Sequence, residues 1–170
     1  MNGTYVGANV DELSSELKKL LSVDVAGTRV KRHHITVIYS LVELDYDIVN
    51  IVLDQIGTPF KTEVIGAACF DALPSDDGTR DVNMSTIVLR LKSVTLEAVH
   101  NSLKSLGATH TYKSYEPHIS IWYGVPREQA REVVDKLNAV FTDLDKAKFK
   151  VTVIGLYAEP LNPDWGKKPN

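Results

Sequence analysis

The chain has 170 residues, and its 19 Lys and Arg against 22 Asp and Glu give a formal net charge of −3. This length suits one domain, and the weak negative charge argues against a protein that holds long nucleic acid by neutralising its phosphates. The single cysteine, Cys69, excludes an intrachain disulfide and a multi-cysteine metal site. The N-terminus lacks an export pattern and no uncharged run is long enough to cross a membrane, so we expect a cytoplasmic protein with no membrane partner.

Helical and strand patterns alternate through the first half of the chain. Leucines at helical spacing predict an amphipathic helix over 11–22. Residues 30–40 are rich in β-branched and aromatic side chains and predict a strand, and a second helical pattern stops at Gly57. Residues 61–72 and 82–92 flank a polar segment and predict an antiparallel hairpin. The first helical pattern consists of Asp11 as N-cap with Leu13, Leu17, Leu20 and Leu21. The second helical pattern consists of Ile48, Ile51, Val52 and Ile56.

The second half of the chain continues the alternation. A helical pattern that stops at Gly107 is followed by a short predicted strand over 118–124. Pro126, suited to the first position of a helix, opens a further helix, and 149–158 form the last predicted strand. The tail over 159–170 contains three prolines and no periodicity, so we expect it to be irregular. The helix that stops at Gly107 has apolar residues at Leu96, Val99, Leu103 and Leu106. The helix that Pro126 opens has them at Ala130, Val133, Val134, Leu137 and Phe141.

The order of these elements contains an internal repeat. The strand that holds His34 precedes a helix and a strand near 61, and the strand that holds His118 precedes a helix and a strand near 148. We therefore predict an α+β fold over 1–170, a single two-lobed domain of two pseudo-twofold-related βαβ halves with mainly antiparallel sheets. A cleft between the halves is the expected ligand site.

Each half carries one three-residue motif of the same type, His34-Ile35-Thr36 in the first and His118-Ile119-Ser120 in the second. Because residues i and i+2 of a strand point to the same face, each histidine stands beside a hydroxyl. A pseudo-twofold axis would bring the two pairs to face each other. His33 points to the opposite face and has no hydroxyl two residues away, so we interpret it as structural.

This constellation suits chemistry at a phosphate. A neutral imidazole accepts a proton from an attacking hydroxyl, a protonated one gives a proton to the leaving oxygen, and both states are accessible near pH 7. Thr36 and Ser120 can donate hydrogen bonds to the non-bridging oxygens as charge builds there. The mechanism needs no metal and no cofactor. The residues leave open which of His34 and His118 acts first as base.

The doubled motif resembles that of the two-histidine (2H) phosphoesterases, whose hallmark is two His-x-Thr/Ser motifs on strands of a two-lobed α+β fold. Here the two histidines lie 84 residues apart, and Ser120 stands where Thr is commoner. The resemblance implies a phosphodiesterase that acts on 2′,3′-cyclic phosphates, on RNA ends or on oligonucleotide second messengers.

The chain ends resemble a narrower group, the phage anti-CBASS proteins, which destroy the cyclic di- and trinucleotide signals of bacterial antiphage immunity. The similarity lies in Tyr5, in Trp165 and in Glu159 before it. It implies that Tyr5 and Trp165 stack on bases, closing over the cleft as a lid, and that Glu159 helps to hold a base or the tail. Tyr115 and Trp122 are further stacking candidates, although Trp122 could equally belong to the core.

We therefore expect a metal-independent phosphodiesterase that binds a cyclic di- or trinucleotide, and that acts in the host cytoplasm if a phage encodes it. The ribose 2′-hydroxyl would attack the 3′–5′ linkage and leave a 2′,3′-cyclic phosphate. One alternative is a 2′,3′-cyclic nucleotide or RNA-end phosphodiesterase of the same superfamily. Another is a non-catalytic sponge for cyclic nucleotides, which would not need the proton-transfer groups. No oligomeric state is predicted.

Overall fold

A computed structural model describes residues 3–72, 77–79, 81–110, 114–143 and 149–161. These residues form seven strands and four helices, and none of the helices is long and apolar enough to cross a membrane. The strands are β1 (Thr4–Val10), β2 (Thr28–Arg29), β3 (His34–Ser40), β4 (Phe60–Asp71), β5 (Met84–Lys92), β6 (His118–Pro126) and β7 (Lys150–Pro160), and the helices are α1 (Ser15–Leu20), α2 (Tyr46–Asp54), α3 (Val94–Ser105) and α4 (Arg127–Phe141).

The strands form one sheet in the order β2-β6-β5-β4-β7-β1-β3, and every neighbouring pair is antiparallel. Although β3 and β6 lie near opposite ends of this order, they are in contact, so the sheet curls on itself. One side-chain hydrogen bond reaches across to β3: the Tyr115 hydroxyl, from the segment before β6, donates to the Thr36 carbonyl at 2.9 Å. The Val30 N–H donates to the Ile121 carbonyl at 2.8 Å and extends the pairing of β2 with β6.

The predicted repeat is present and is longer than the sequence indicated. The chain runs β1-α1-β3-α2-β4 and then, apart from the short β2, repeats the same order as β5-α3-β6-α4-β7. In space, β3-β1-β7 form one lobe and β6-β5-β4 the other, so each lobe takes its third strand from the other half of the chain. The adjacent strands β4 and β7 join the lobes. The prediction of two βαβ halves is thus confirmed, and each half is preceded by a further strand and helix, which makes two interlocked βαβαβ halves.

Strand registers show the repeat residue by residue. Asn9 of β1 lies opposite His34, and Arg90 of β5 lies opposite His118. Two residues earlier along β1 and β5, Gly7 lies opposite Thr36 and Val88 opposite Ser120. The two His-x-Thr/Ser motifs therefore occupy equivalent places in the two lobes.

The sequence did not predict β1, although it is an interior strand paired with both β3 and β7. Its sequence includes Gly7 and Asn9, residues that strands disfavour. Gly7 is needed because an added Cβ would lie 2.6 Å from the Tyr157 hydroxyl and 2.8 Å from a ring atom of Tyr5. The residue that weakens the local strand pattern is the one that lets two tyrosines approach the sheet.

Two helix starts differ from prediction. The first helix begins at Ser15 rather than near Asp11, because the Ser14 hydroxyl accepts from the Leu17 N–H at 3.2 Å. Asp11 instead continues the strand pairing, with its N–H bonded to the Thr152 carbonyl at 2.9 Å. Pro126 is the N-cap of α4 rather than its first residue.

The second helix and the last strand also require correction. In α2 the buried residues are Val49 and Leu53, whereas Ile48 is 45% and Ile51 59% exposed, so the predicted apolar stripe was wrong in phase. The last strand reaches Pro160, so the tail does not begin at 159. The predicted irregularity of 162–170 lies outside the described residues.

The core lies directly beneath the two motifs. Ile35 and Ile119, the middle residues of the motifs, are fully buried, as are Val37 and Ile121. Complete burial of one such side chain stabilises the fold by about 1.5–3 kcal/mol. The strand positions that carry the histidines are therefore anchored by their apolar neighbours. Helix residues that complete this core include Leu17, Leu53, Leu96, Val99, Leu103 and Leu137.

Candidate active site

The curled sheet brings the two motifs together. His34 and Thr36 lie on β3, His118 and Ser120 lie on β6, and all four side chains are partly exposed. The pKa of His34 is lowered first by burial and next by repulsion from the charge of His118, while Glu159 opposes the shift. His34 is therefore close enough to sense the charge of His118.

A backbone carbonyl sets the tautomer of His118. The Nδ1 atom lies 2.8 Å from the carbonyl oxygen of Glu116, and because a carbonyl only accepts, Nδ1 carries the proton. The ring stands edge-on to Phe70, with centroids 4.9 Å apart. Burial lowers the pKa of His118 against the opposing effect of Glu116. Neutral His118 thus presents a bare Nε2, which can accept a proton.

The hydroxyls of the two motifs differ in their surroundings. Thr36 Oγ1 lies 3.1 Å from the Tyr5 hydroxyl, and the Thr36 carbonyl accepts the hydroxyl of Tyr115 at 2.9 Å. By contrast, none of the described residues hydrogen bonds to the Ser120 hydroxyl. Thr36 is therefore held by hydrogen bonds to two tyrosines, whereas the Ser120 hydroxyl can still bond to a ligand.

Tyr5 reaches the site from β1. Its ring is 3% exposed and lies 6.0 Å from that of Tyr157, centroid to centroid. Burial is the main cause that raises the pKa of the Tyr5 hydroxyl, against the hydrogen bond with Thr36, so the group keeps its proton at any working pH. Because β1 pairs on both sides, the prediction that Tyr5 moves as a lid is wrong. Its stacking on a base stays a prediction, and because the side chain is 3% exposed, it requires that the residues covering the ring move aside when a base binds.

Of the other two predicted residues near the C-terminus, only Glu159 lies within the described residues. Glu159 lies opposite Tyr5 in the pairing of β1 with β7, is exposed, and is close enough to raise the pKa of His34. The structure therefore joins Tyr5 and Glu159 to the first motif. Trp165 lies outside the described residues, and its predicted role stays a prediction.

Of the two extra stacking candidates, Trp122 belongs to the core. It is 3% exposed, and the Arg29 guanidinium lies 4.7 Å from the centre of its ring. A cavity of about 1010 Å³ borders Arg29 and Trp122, and its lining includes His33 but neither His34 nor His118. Tyr115 is tied to Thr36, as described above.

Sequence reasoning missed Tyr157 and Phe70. Tyr157 stands two residues before Glu159 on the same strand, so the period of a strand would have placed the two on one face once β7 was extended to Pro160. Phe70 contacts His118 through the fold of the hairpin, and no local pattern indicates this. Within the described ranges, no group of three or more His, Cys, Asp or Glu is arranged to hold a metal ion.

The curled antiparallel sheet, with one His-x-Thr/Ser motif at the same register in each lobe, defines a two-histidine phosphoesterase-like fold. A solved structure with this architecture is Usb1 of Kluyveromyces marxianus, with a TM-score of 0.54, 10% sequence identity and 93% of each chain covered. At that identity the likeness shows the fold alone.

Sequence comparison narrows the class. The family model described as "Anti-CBASS protein Acb1" matches residues 2–168, and the chain belongs to this family. Relatives named Anti-CBASS protein Acb1 include that of Enterobacteria phage T4, 30% identical over 96% of this chain and 91% of the relative. Those of Vibrio phage KVP40 and Salmonella phage S16 are 27% and 29% identical, over 96% of this chain and 90% and 91% of the relatives. Family and fold together support an enzyme.

Proposed function

We propose that the chain is a metal-independent phosphodiesterase that binds a cyclic di- or trinucleotide and cleaves one of its 3′–5′ linkages. The observation that carries the proposal is the placement of His34 and His118, each beside a hydroxyl, at equivalent positions of the two lobes on strands that are in contact. Membership of an anti-CBASS family supports a cyclic oligonucleotide as substrate and the cytoplasm of the infected cell as the place of action.

The chemistry follows from the two imidazoles. A neutral histidine takes the proton of the ribose 2′-hydroxyl as O2′ attacks the phosphorus. The bond from phosphorus to O5′ breaks, and the other histidine, protonated, gives its proton to O5′. The products are a 2′,3′-cyclic phosphate and a 5′-hydroxyl on the opened ring. Water can then open the cyclic phosphate with the two histidines in exchanged roles.

Two hydroxyls complete the site. Thr36 and Ser120 donate to the non-bridging oxygens, where negative charge accumulates in the transition state, and such donors are most effective when they are held in place before the reaction. Because burial lowers the pKa of both histidines, the base is ready at neutral pH. The protonated acid is then the scarcer form, and the rate has a bell-shaped dependence on pH.

Recognition of the bases is assigned to the chain ends, as the anti-CBASS resemblance implies. Tyr5 and Trp165 supply aromatic rings, and Glu159 a carboxylate beside Tyr5. A stacked base contributes about 1–3 kcal/mol to binding, so two rings suffice to separate a cyclic dinucleotide from a mononucleotide.

The experiment incubates the purified protein in EDTA with cyclic di- and trinucleotides, linear RNA and 2′,3′-cyclic nucleotides. We expect cleavage of a cyclic oligonucleotide, and no cleavage of its analogue with a 2′-deoxyribose at the scissile linkage, although that analogue still binds. Turnover of the 2′,3′-cyclic nucleotides or RNA ends alone would favour the alternative phosphodiesterase. Tight binding of the cyclic oligonucleotide without turnover would favour the sponge.

A further inference from the structure

Thr36 is held from two directions by two tyrosines from different parts of the chain. The Tyr5 hydroxyl on β1 lies 3.1 Å from Thr36 Oγ1, and the Tyr115 hydroxyl donates to the Thr36 carbonyl at 2.9 Å. The first contact turns the side chain, and the second fixes the backbone that carries it. Ser120, at the equivalent position, has neither contact among the described residues.

Tyr115 is itself fixed by a buried aromatic cluster. Its ring stacks on that of His100 with centroids 4.2 Å apart and an interplanar angle of 3°, and His110 stands edge-on to His100 at 4.6 Å. His100 is 4% exposed and its Nδ1 lies 2.7 Å from the Val37 carbonyl, the residue after Thr36. The Tyr115 hydroxyl is thus aimed at β3 by a rigid support.

The position of Tyr115 in the chain gives this contact its importance. Tyr115 lies three residues before His118, at the entrance to β6, and its hydroxyl ends on β3. A single side chain therefore links the segment that leads into the second motif to the backbone of the first.

We propose that Tyr115 is a positioning residue that holds the Thr36 hydroxyl in place for the phosphate. Tyr5 completes the arrangement, because the 3.1 Å contact between its hydroxyl and Thr36 Oγ1 holds the side chain of Thr36 in one orientation. The inference rests on the proposed function, since it requires Thr36 to contact the phosphate.

The test uses Tyr115→Phe, which removes the hydroxyl and keeps the ring on His100. Small misplacements of a catalytic group cost up to about 10²-fold in rate, and we expect the loss of this one contact to lower kcat by about 10-fold with KM changed less than threefold. The matched control is Tyr46→Phe, because the Tyr46 hydroxyl is also buried and makes no hydrogen bond within the described residues. The control should keep full activity.

A double variant separates positioning from a merely structural role. If Tyr115 acts through Thr36, then adding Tyr115→Phe to Thr36→Ala should lower kcat no further than Thr36→Ala alone, and the melting temperatures of the single variants should differ little. Full activity in Tyr115→Phe, a change in KM alone, or losses that multiply in the double variant would each overturn the proposal.

The substrate used is the one that the wild type cleaves, so the two proposals fail separately. If the wild type cleaves only 2′,3′-cyclic nucleotides, the cyclic-oligonucleotide substrate is wrong, and the same variants still decide the role of Tyr115. If the wild type cleaves no phosphodiester in the panel, both proposals are wrong.

Discussion

The two lobes present the same motif at the same register in different surroundings. In the first lobe, Gly7 of β1 lies opposite Thr36, and two residues before Gly7 stands Tyr5, which pairs with Glu159 of β7. In the second, the equivalent positions on β5 and β4 hold Thr86 and Phe70. The first motif thus has the Tyr5 hydroxyl on Thr36 and the charge of Glu159 acting on His34. In the second motif, His118 contacts the ring of Phe70 and the backbone carbonyl of Glu116.

This difference shows how a duplicated site becomes an asymmetric one. Two symmetric histidines supply an acid and a base, but a phosphodiester has distinct attacking and leaving sides, so the groups around each histidine must differ. Glu159 raises the pKa of His34, whereas Glu116 raises that of His118 and its carbonyl fixes the tautomer of His118. Each of the following predictions breaks or sharpens this comparison.

The largest expected effect is the loss of turnover when either histidine is replaced, and it should be equal for the two lobes. Since a positioned proton-transfer group contributes roughly 10²- to 10⁴-fold to the rate, His34→Ala and His118→Ala should each remove nearly all turnover while substrate binding stays largely intact. The two losses should not multiply, because the groups act in one step. Single-turnover kinetics measures this, with His33→Ala as the adjacent control. Wild-type turnover in either catalytic variant would show that the two-histidine mechanism is wrong.

Removal of the two motif hydroxyls should affect the rate to different extents in the two lobes. Loss of a pre-oriented donor to a developing oxyanion costs about 10²- to 10³-fold, and we expect Thr36→Ala to lie in that range because two tyrosines hold Thr36. Ser120→Ala should cost less, about 10-fold, since Ser120 is not held in this way. Comparison of kcat for the two variants measures the difference, with Thr36→Ser as a control that keeps the hydroxyl. A greater loss in Ser120→Ala would reverse the assignment of the anchored side.

Base recognition should depend on the chain ends. Tyr5→Ala and Trp165→Ala should each weaken binding of a cyclic oligonucleotide about ten- to a hundredfold, from the stacking contribution of one base. Binding of a 2′,3′-cyclic mononucleotide should change much less. Calorimetric titration with both ligands tests this, and Tyr5→Phe, which keeps the ring, should bind normally while kcat falls. Unchanged affinity in both alanine variants would leave only a general phosphodiesterase.

The smallest expected effect concerns pH. Glu159 raises the pKa of His34, so Glu159→Gln should move the pKa of His34 further below its ordinary value, and the limb of the pH–rate profile that belongs to His34 should shift to lower pH. The limb of His118 should stay in place, because the pKa of His118 is set by burial and by Glu116. NMR titration of the two imidazoles distinguishes them directly. A shift of both, or of neither, would contradict this division.

Local patterns predicted much of this fold. The hairpin of β4 and β5, the helices α3 and α4, and the strands that carry the motifs follow from hydrophobic period and turn residues, which act over short distances. Some of the wrong predictions concern the starts of helices, where the capping residue differs from the one expected, and others concern tertiary packing. Ile48 and Ile51 have helical spacing, but α2 turns Val49 and Leu53 to the core, because the neighbouring layer decides which stripe is buried.

Some residues of the site could likewise be predicted from the sequence, and others could not. His34, Thr36, His118 and Ser120 could be named from the sequence, because a repeated motif in a repeated unit is visible without knowledge of the fold. Tyr157 and Phe70 could not, because each meets the site through pairing between strands that are distant in the chain.

What the amino-acid order establishes on its own is therefore the set of reactive groups and their alternation in strands, since side-chain chemistry and the two-residue period are local properties. The exchange of β4 and β7 between lobes, the interior place of β1 and the two tyrosines on Thr36 arise only when the sheet curls and closes. Those contacts join residues 31 and 79 positions apart, and the free energy that selects them comes from burial of the whole core rather than from any local segment.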